Sequence, residues 1–196
     1  MRIHTRVRHL IGTGFILFIM VAGSTIVSAQ EIAEVMKFPS PFILTAAGQS
    51  PDVLMVKIVS ERGKLDFKYQ ALAKTPDVMG MKTLVIVMGV SMKGLGSAGI
   101  KLDEEVSRVL RLIDDARKNK TAVIGVFAGG AGGRGGRDQL TDSLLSQIAP
   151  KVDYLVVIKT GDKDGFLKGI ATDNNIPLTY MPAIVDMTRI ITGIFK

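Results

Sequence analysis

The chain reads as an α/β protein: a three-layer, doubly wound, mostly parallel sheet of about five strands. Three observations point there. Residues 82–88 (Lys-Thr-Leu-Val-Ile-Val-Met) and 122–127 (Ala-Val-Ile-Gly-Val-Phe) are apolar without alternation, as strands covered on both faces of a parallel sheet are. Each is followed by a segment whose apolar residues recur at the helical period. Glycine collects in the connections that lead from strand to helix.

The elements follow in order. Residues 42–46 form a short apolar run that ends in Gly48-Gln49-Ser50-Pro51-Asp52. Ser50 is placed to cap a helix, with Pro51 at its first position and Asp52 in its first turn. Leu54, Met55, Ile58 and Val59 are spaced for one buried face, and Gly63 can end the helix. Leu65, Phe67 and Tyr69 alternate with Asp66 and Lys68, predicting a short half-buried strand. Thr75-Pro76-Asp77 starts a brief helical turn. After the 82–88 strand, residues 89–100 read as a loop. A helix then runs over about 103–118, with Leu102, Val106, Val109, Leu110, Ile113 and Ala116 on its apolar stripe. Asp103, Glu104 and Glu105 at its start and Arg117 and Lys118 at its end complement its dipole. The strand at 122–127 is followed by a glycine-rich loop and a helix using Leu140, Leu144, Leu145 and Ile148. A strand at 154–158 leads through 160–165 to a short helix containing Phe166, Leu167, Ile170 and Ala171. Residues 176–180 suit an edge strand, because Pro177 cannot donate to a ladder. A last helix over roughly 182–195 carries Ile184, Met187, Ile190, Ile191 and Ile194. Strand–helix alternation of this kind gives right-handed crossovers and a Rossmann-like layering.

Ahead of the domain, Arg2, Arg6 and Arg8 precede an uncharged, strongly apolar stretch, and Val27-Ser28-Ala29 sets small residues where a signal peptidase reads. The pattern predicts a signal peptide over 1–29, cleavage before Gln30 and a single α/β domain over 30–196, placed in the periplasm or secreted. Residues 10–29 would reach about 30 Å as a helix at ~1.5 Å per residue. The alternative is therefore a domain anchored to the membrane by an uncleaved N-terminal helix. Cleavage leaves no membrane attachment, and no cysteine follows the apolar run to carry a lipid.

Composition removes many functions. The only two histidines, His4 and His9, lie in the signal, and the chain has no cysteine and no tryptophan. The domain thus lacks the usual general base, thiolate chemistry, disulfides and the ligands of zinc, copper and haem sites. Removing three arginines with the signal takes the charge from +7 to +4, a mildly basic surface with no nucleic-acid motif. Gly94-Leu-Gly96-Ser-Ala-Gly99 and Gly130-Ala-Gly132-Gly-Arg-Gly135 match G-x-G-x-x-G formally. Neither follows the first strand, and no acidic residue stands ready for a ribose, so a nicotinamide dehydrogenase is not expected. There is no P-loop. No cofactor, metal or catalytic residue is expected; Asp162 and Asp164 suit turn and cap roles better than a cation site.

What remains is a crevice beyond the carboxyl ends of the strands, where ligands of such sheets bind. Loops 48–52, 89–99, 129–137 and 160–165 converge there. Ser50 and Ser91 bring hydroxyls, Lys93, Arg134, Arg137 and Lys163 bring charge, and Gly94, Gly96, Gly130 and Gly132 let backbone N–H groups approach an anion. The same glycines could serve only to turn and pack the loops. Six of the eight residues in 129–136 are glycine, which makes ordering that loop cost roughly 3–6 kcal/mol more than an alanine equivalent. The loop is expected to be mobile when empty and to order around a ligand.

Three stretches carry a resemblance: Thr45-Ala-Ala-Gly-Gln-Ser-Pro-Asp52; residues 82–89 with Ser91-Met-Lys-Gly-Leu-Gly-Ser-Ala-Gly-Ile100; and Gly161-Asp-Lys-Asp-Gly165 with Asn174-Asn-Ile-Pro177. Together they resemble a family of exported bacterial single-domain proteins to which no function is assigned. That resemblance implies export and one α/β domain, and it supplies no catalytic residue. The expected function is an exported binding module for a small anionic solute, carboxylate or phosphate, serving a transporter or sensor. The alternative is a histidine-free hydrolase or transferase using serine with lysine, or carboxylates.

Overall fold

The computed structural model describes residues 35–130, 132 and 139–196. Six strands form one sheet: β1 (Phe42–Ala47), β2 (Phe67–Tyr69), β3 (Thr83–Met88), β4 (Ala122–Phe127), β5 (Tyr154–Ile158) and β6 (Leu178–Met181). Their order is β2-β1-β3-β4-β5-β6, and every pairing is parallel. The doubly wound α/β class is therefore observed, and both short segments at the sheet margins are its edge strands. β1, β3 and β5 are buried along their whole length, which is why they read as unbroken apolar runs.

The helices among the described residues are α1 (Asp52–Arg62), α2 (Thr75–Val78), α3 (Met92–Ala98), α4 (Leu102–Lys118), α5 (Gln139–Ile148), α6 (Phe166–Asp173) and α7 (Met187–Phe195). Only the step from β1 to β2 runs toward one edge; the later steps run toward the other. Right-handed crossovers then put α1 on one face and α2, α4, α5 and α6 on the opposite face. The packing agrees: α1 meets α7, and α4 lies between α2 and α5. α4 lays Val106, Val109, Leu112, Ile113 and Ala116 on the sheet.

Three local expectations need correction. On α1, Leu54 and Ile58 are each 46% exposed, while Val53, Val56 and Ser60 form the buried face. The helix is apolar most of the way round, so periodicity could not choose a face; packing against β1, β3 and α7 chose it. Residues 89–100 are not simply a loop, since α3 lies inside them with Ser91 as its cap. Ile184 belongs to a short 3-10 turn, Ile184–Asp186, and is exposed with Val185 instead of joining the buried face of α7.

Candidate functional site

In an all-parallel sheet the carboxyl ends of all strands share one edge, so the loops after β1, β3, β4 and β5 share it too. β1 and β3 lie side by side, and the chain leaves them in opposite directions. This is the topological switch point, the usual place for a ligand crevice.

Here the switch point is filled by its own loops. Gln49, at φ 57°, makes an isolated antiparallel bridge to Val90, and the Ser91 N–H donates to the Gly48 carbonyl at 2.8 Å. A Cβ on Gly48 would stand 2.4 Å from the Gly89 carbonyl oxygen, and one on Gly94 would stand 2.2 Å from that of Gln49. Gly48 and Gly94 therefore serve close backbone packing. Ser50 accepts from the Asp52 N–H at 3.3 Å just ahead of α1, whose N-cap position falls on Pro51 and not, as expected, on Ser50; Ser91 accepts from the Gly94 N–H at 3.0 Å and caps α3. Lys93 is exposed on α3, and Gly96 is exposed in open space on the same helix. The expected cradle over Gly94 and Gly96 is a helical turn instead, because the cap at Ser91 and a left-handed Gly99 (φ 67°) bound a short helix.

Beneath these loops lies a buried charge pair. Glu105 is 0% exposed. Its Oε1 accepts from the Gly48 N–H (3.1 Å), Gln49 Nε2 (2.8 Å) and an Arg108 amino group (2.9 Å), and its Oε2 from Arg108 Nε (2.7 Å). Arg108 also donates to the carbonyls of Ala73 (2.8 Å) and Ala46 (2.6 Å). The pair thus ties the end of β1 to the segment before α2. By sequence alone Glu105 is only a dipole partner. Its spacing with Val109, Leu112 and Ala116 was the available signal, since it sets Glu105 on the buried stripe.

An open cavity of about 440 Å³ lies on the same edge, beyond β5 and β6, lined by Lys159, Asp162, Lys163, Asp164, Gly165, Lys168 and Tyr180. Lys163 is the one expected site residue in its lining. Lys159 and Lys168 were missed, because Lys159 merely ends the strand run and Lys168 resembles an ordinary polar position of a short helix. Asp162, 5% exposed, anchors the wall. It accepts from the Leu167 N–H (2.7 Å), the Lys168 N–H (3.1 Å) and the Tyr180 hydroxyl (2.7 Å). Burial, then the hydrogen bond to Asp162, pushes the Tyr180 hydroxyl up to about 12. Tyr180 therefore stays protonated and donating through the physiological range. Asp162 thus fills the start of α6, and three lysines and two aspartates border the cavity.

The loop after β4 adjoins this region. Gly161 is buried, and a Cβ on it would stand 2.2 Å from the Gly129 carbonyl oxygen; one on Gly130 would meet Thr160 Oγ1 at 3.5 Å. Gly132 has nothing near its Cβ direction. Arg134, Arg137 and most of the glycine tract lie outside the described residues, as do residues 1–34 with His4 and His9. Among the described residues no three His, Cys, Asp or Glu side chains gather as a metal site, and no helix is long and apolar enough to cross a membrane.

Residues 39–195 match the family model described as a domain of unknown function, DUF6305. The chain belongs to that family. Among curated proteins none matches. A solved structure of a GDSL-like lipase from Bacteroides thetaiotaomicron VPI-5482 aligns at 13% identity and TM-score 0.36 over 71% of this chain. The alignment spans 66% of the lipase chain, just under two thirds of its length.

Proposed function

We propose that this DUF6305 protein is an exported binding module whose ligand is a small anion, carboxylate or phosphate, held at the carboxyl edge of the sheet over β5 and β6. The observation that carries the reading is the cavity bordered by Lys159, Lys163 and Lys168. Three ammoniums on one open wall attract an anion by charge, and lysines hold phosphate or carboxylate as point charges. The buried Asp162 carboxylate accepts from two backbone N–H groups and Tyr180; Asp164 also lines the cavity, so three lysines stand against two carboxylates and the lining keeps a net positive charge of one. Export rests on the basic, apolar and small-residue order of 1–29, and delivery to a transporter or sensor follows from a periplasmic binding role. The enzyme alternative gains no support from the serines, whose hydroxyls serve the starts of α1 and α3.

The test is native mass spectrometry of the protein isolated from its own exported fraction. A bound anionic solute, displaced by Lys159→Glu combined with Lys163→Glu, supports the reading. A neutral or cationic solute bound in its place would overturn it.

A further inference from the structure

The anion cavity does not stand alone. A second open groove, of about 570 Å³, runs beside the outer margin of the sheet, and Lys168 and Tyr180 line both. Its other walls come from the C-terminal half of α6 and from β6, with Ala171, Ile176 and Leu178 supplying apolar surface. Lys168 and Tyr180 thus stand between an apolar-walled space and one bordered by lysines.

Among the described residues the strand beside these spaces has no partner on its outer side. β6 ends the strand order, with β5 on one side only. The Leu155 N–H donates to the Pro177 carbonyl, so alternation turns Thr179 toward β5 and points the N–H and C=O groups of Leu178 and Tyr180 outward. Edge strands are commonly blunted by charge or proline. The opposite edge is: β2 has three residues, and the middle one is the exposed Lys68. β6 is Leu-Thr-Tyr-Met, bounded by Pro177 and Pro182 but with no charge and no proline within its four residues, so the outward groups of Leu178 and Tyr180 are left to pair.

Resting on the anion reading above, we propose that the anion is the C-terminal carboxylate of an extended peptide that adds to the outer edge of β6. A peptide running parallel to β6, continuing the all-parallel sheet, carries its C-terminus toward the carboxyl edge. Its carboxylate then arrives at Lys159, Lys163 and Lys168. Its backbone pairs with Leu178 and Tyr180, and alternate side chains rest against Ala171 and Ile176. Strand addition gives affinity through the main chain, and carboxylate capture fixes register.

The experiment uses the full chain at low ionic strength with three kinds of probe, the last made in both alternate registers. These are a fluorescein-labelled hexapeptide of alternating valine and threonine with a free carboxylate, the same peptide as its C-terminal amide, and the acid peptide N-methylated at alternate backbone amides. The acid should bind at least about 10-fold more tightly than the amide, a difference of about 1.4 kcal/mol. Lys163→Glu should weaken the acid and leave the amide unchanged, and N-methylation in the facing register should abolish binding. Equal affinity of acid and amide, or tight binding of both N-methylated registers, would overturn the proposal. If no peptide binds while inorganic phosphate perturbs the cavity, the peptide inference falls and the anion reading stands; if phosphate fails as well, both fall. A dimer in sedimentation that Leu178→Lys dissociates would assign the edge to a second copy and overturn the proposal.

Discussion

Gly94 and Gly96 stand two residues apart on α3, and only one of them has to be glycine. A Cβ at Gly94 would press on the Gln49 carbonyl oxygen at 2.2 Å, whereas nothing lies within 4 Å of one at Gly96. Gly94→Ala should cost about 1–3 kcal/mol through overpacking against backbone. Gly96→Ala should stabilise by about 0.5–1 kcal/mol through helix propensity. Urea unfolding of the two variants checks both signs. Their sequence spacing could not separate them, because the atom that decides is a carbonyl in another loop. Tyr180 gives the pH prediction. Its folded pKa, about 12, lies above the ordinary tyrosine value of 10.0, so the folded state holds the proton longer. The tyrosine's contribution is full below pH 10 and is lost as pH rises from 10 toward 12. Ultraviolet titration of phenolate should show one late-ionising tyrosine, and Tyr180→Phe should remove that step and flatten the alkaline fall in stability. A tyrosine titration with no late step would contradict the Asp162 contact.

At the scale of elements, what was legible follows burial. β3 and β5 were evident because strands covered on both faces leave unbroken apolar runs, and α4 because one stripe repeats from Val106 to Ala116. α1 was legible as a helix but not in orientation: its apolar residues surround it, and the face it buries is set by packing on β1, β3 and α7, the last of these far along the chain. α3 was hidden because glycine disfavours helix, yet a serine cap and a left-handed glycine bracket one. Glu105 was hidden by an adequate surface role. It and Arg108 hold α4 to the ends of β1 and the approach to α2. Removing one partner of a buried pair strands the other, so Glu105→Ala should cost about 3 kcal/mol, and Glu105→Gln less, because an amide oxygen can still accept from Gly48. Guanidinium unfolding of both variants measures the difference; a loss below about 1 kcal/mol for the alanine variant would show the pair to be incidental.

For the whole molecule, the sheet order explains why the expected residues divided. All the strand-to-helix loops do meet one edge, as alternation of strands and helices implied. Within that edge the loops over β1 and β3 close on each other through Gly48, Gln49, Val90 and Gly94, and Ser50 and Ser91 bond locally at the starts of their helices, while an open space lies over β5 and β6. Periodicity finds strands, but which strand ends are sealed depends on backbone contacts that no local pattern encodes. Of the expected residues Lys163 lines that open space, beside Lys159 and Lys168, which no local pattern singled out. Outside the domain, the order of charge, apolar run and small residues leads to one expectation: N-terminal sequencing of the exported protein should begin at Gln30, and a start near Met1 would favour the anchored form. An anion site at the lysine-bordered cavity is the proposal on which the rest depends, and amide NMR during titration with inorganic phosphate at low ionic strength puts it to the test. Saturable shifts should concentrate at Lys159, Lys163, Gly165 and Lys168, spare Ser91 and Gly94, and disappear in the Lys159→Gln, Lys163→Gln variant. Shifts centred on the loops after β1 and β3, or none that saturate anywhere, would contradict it.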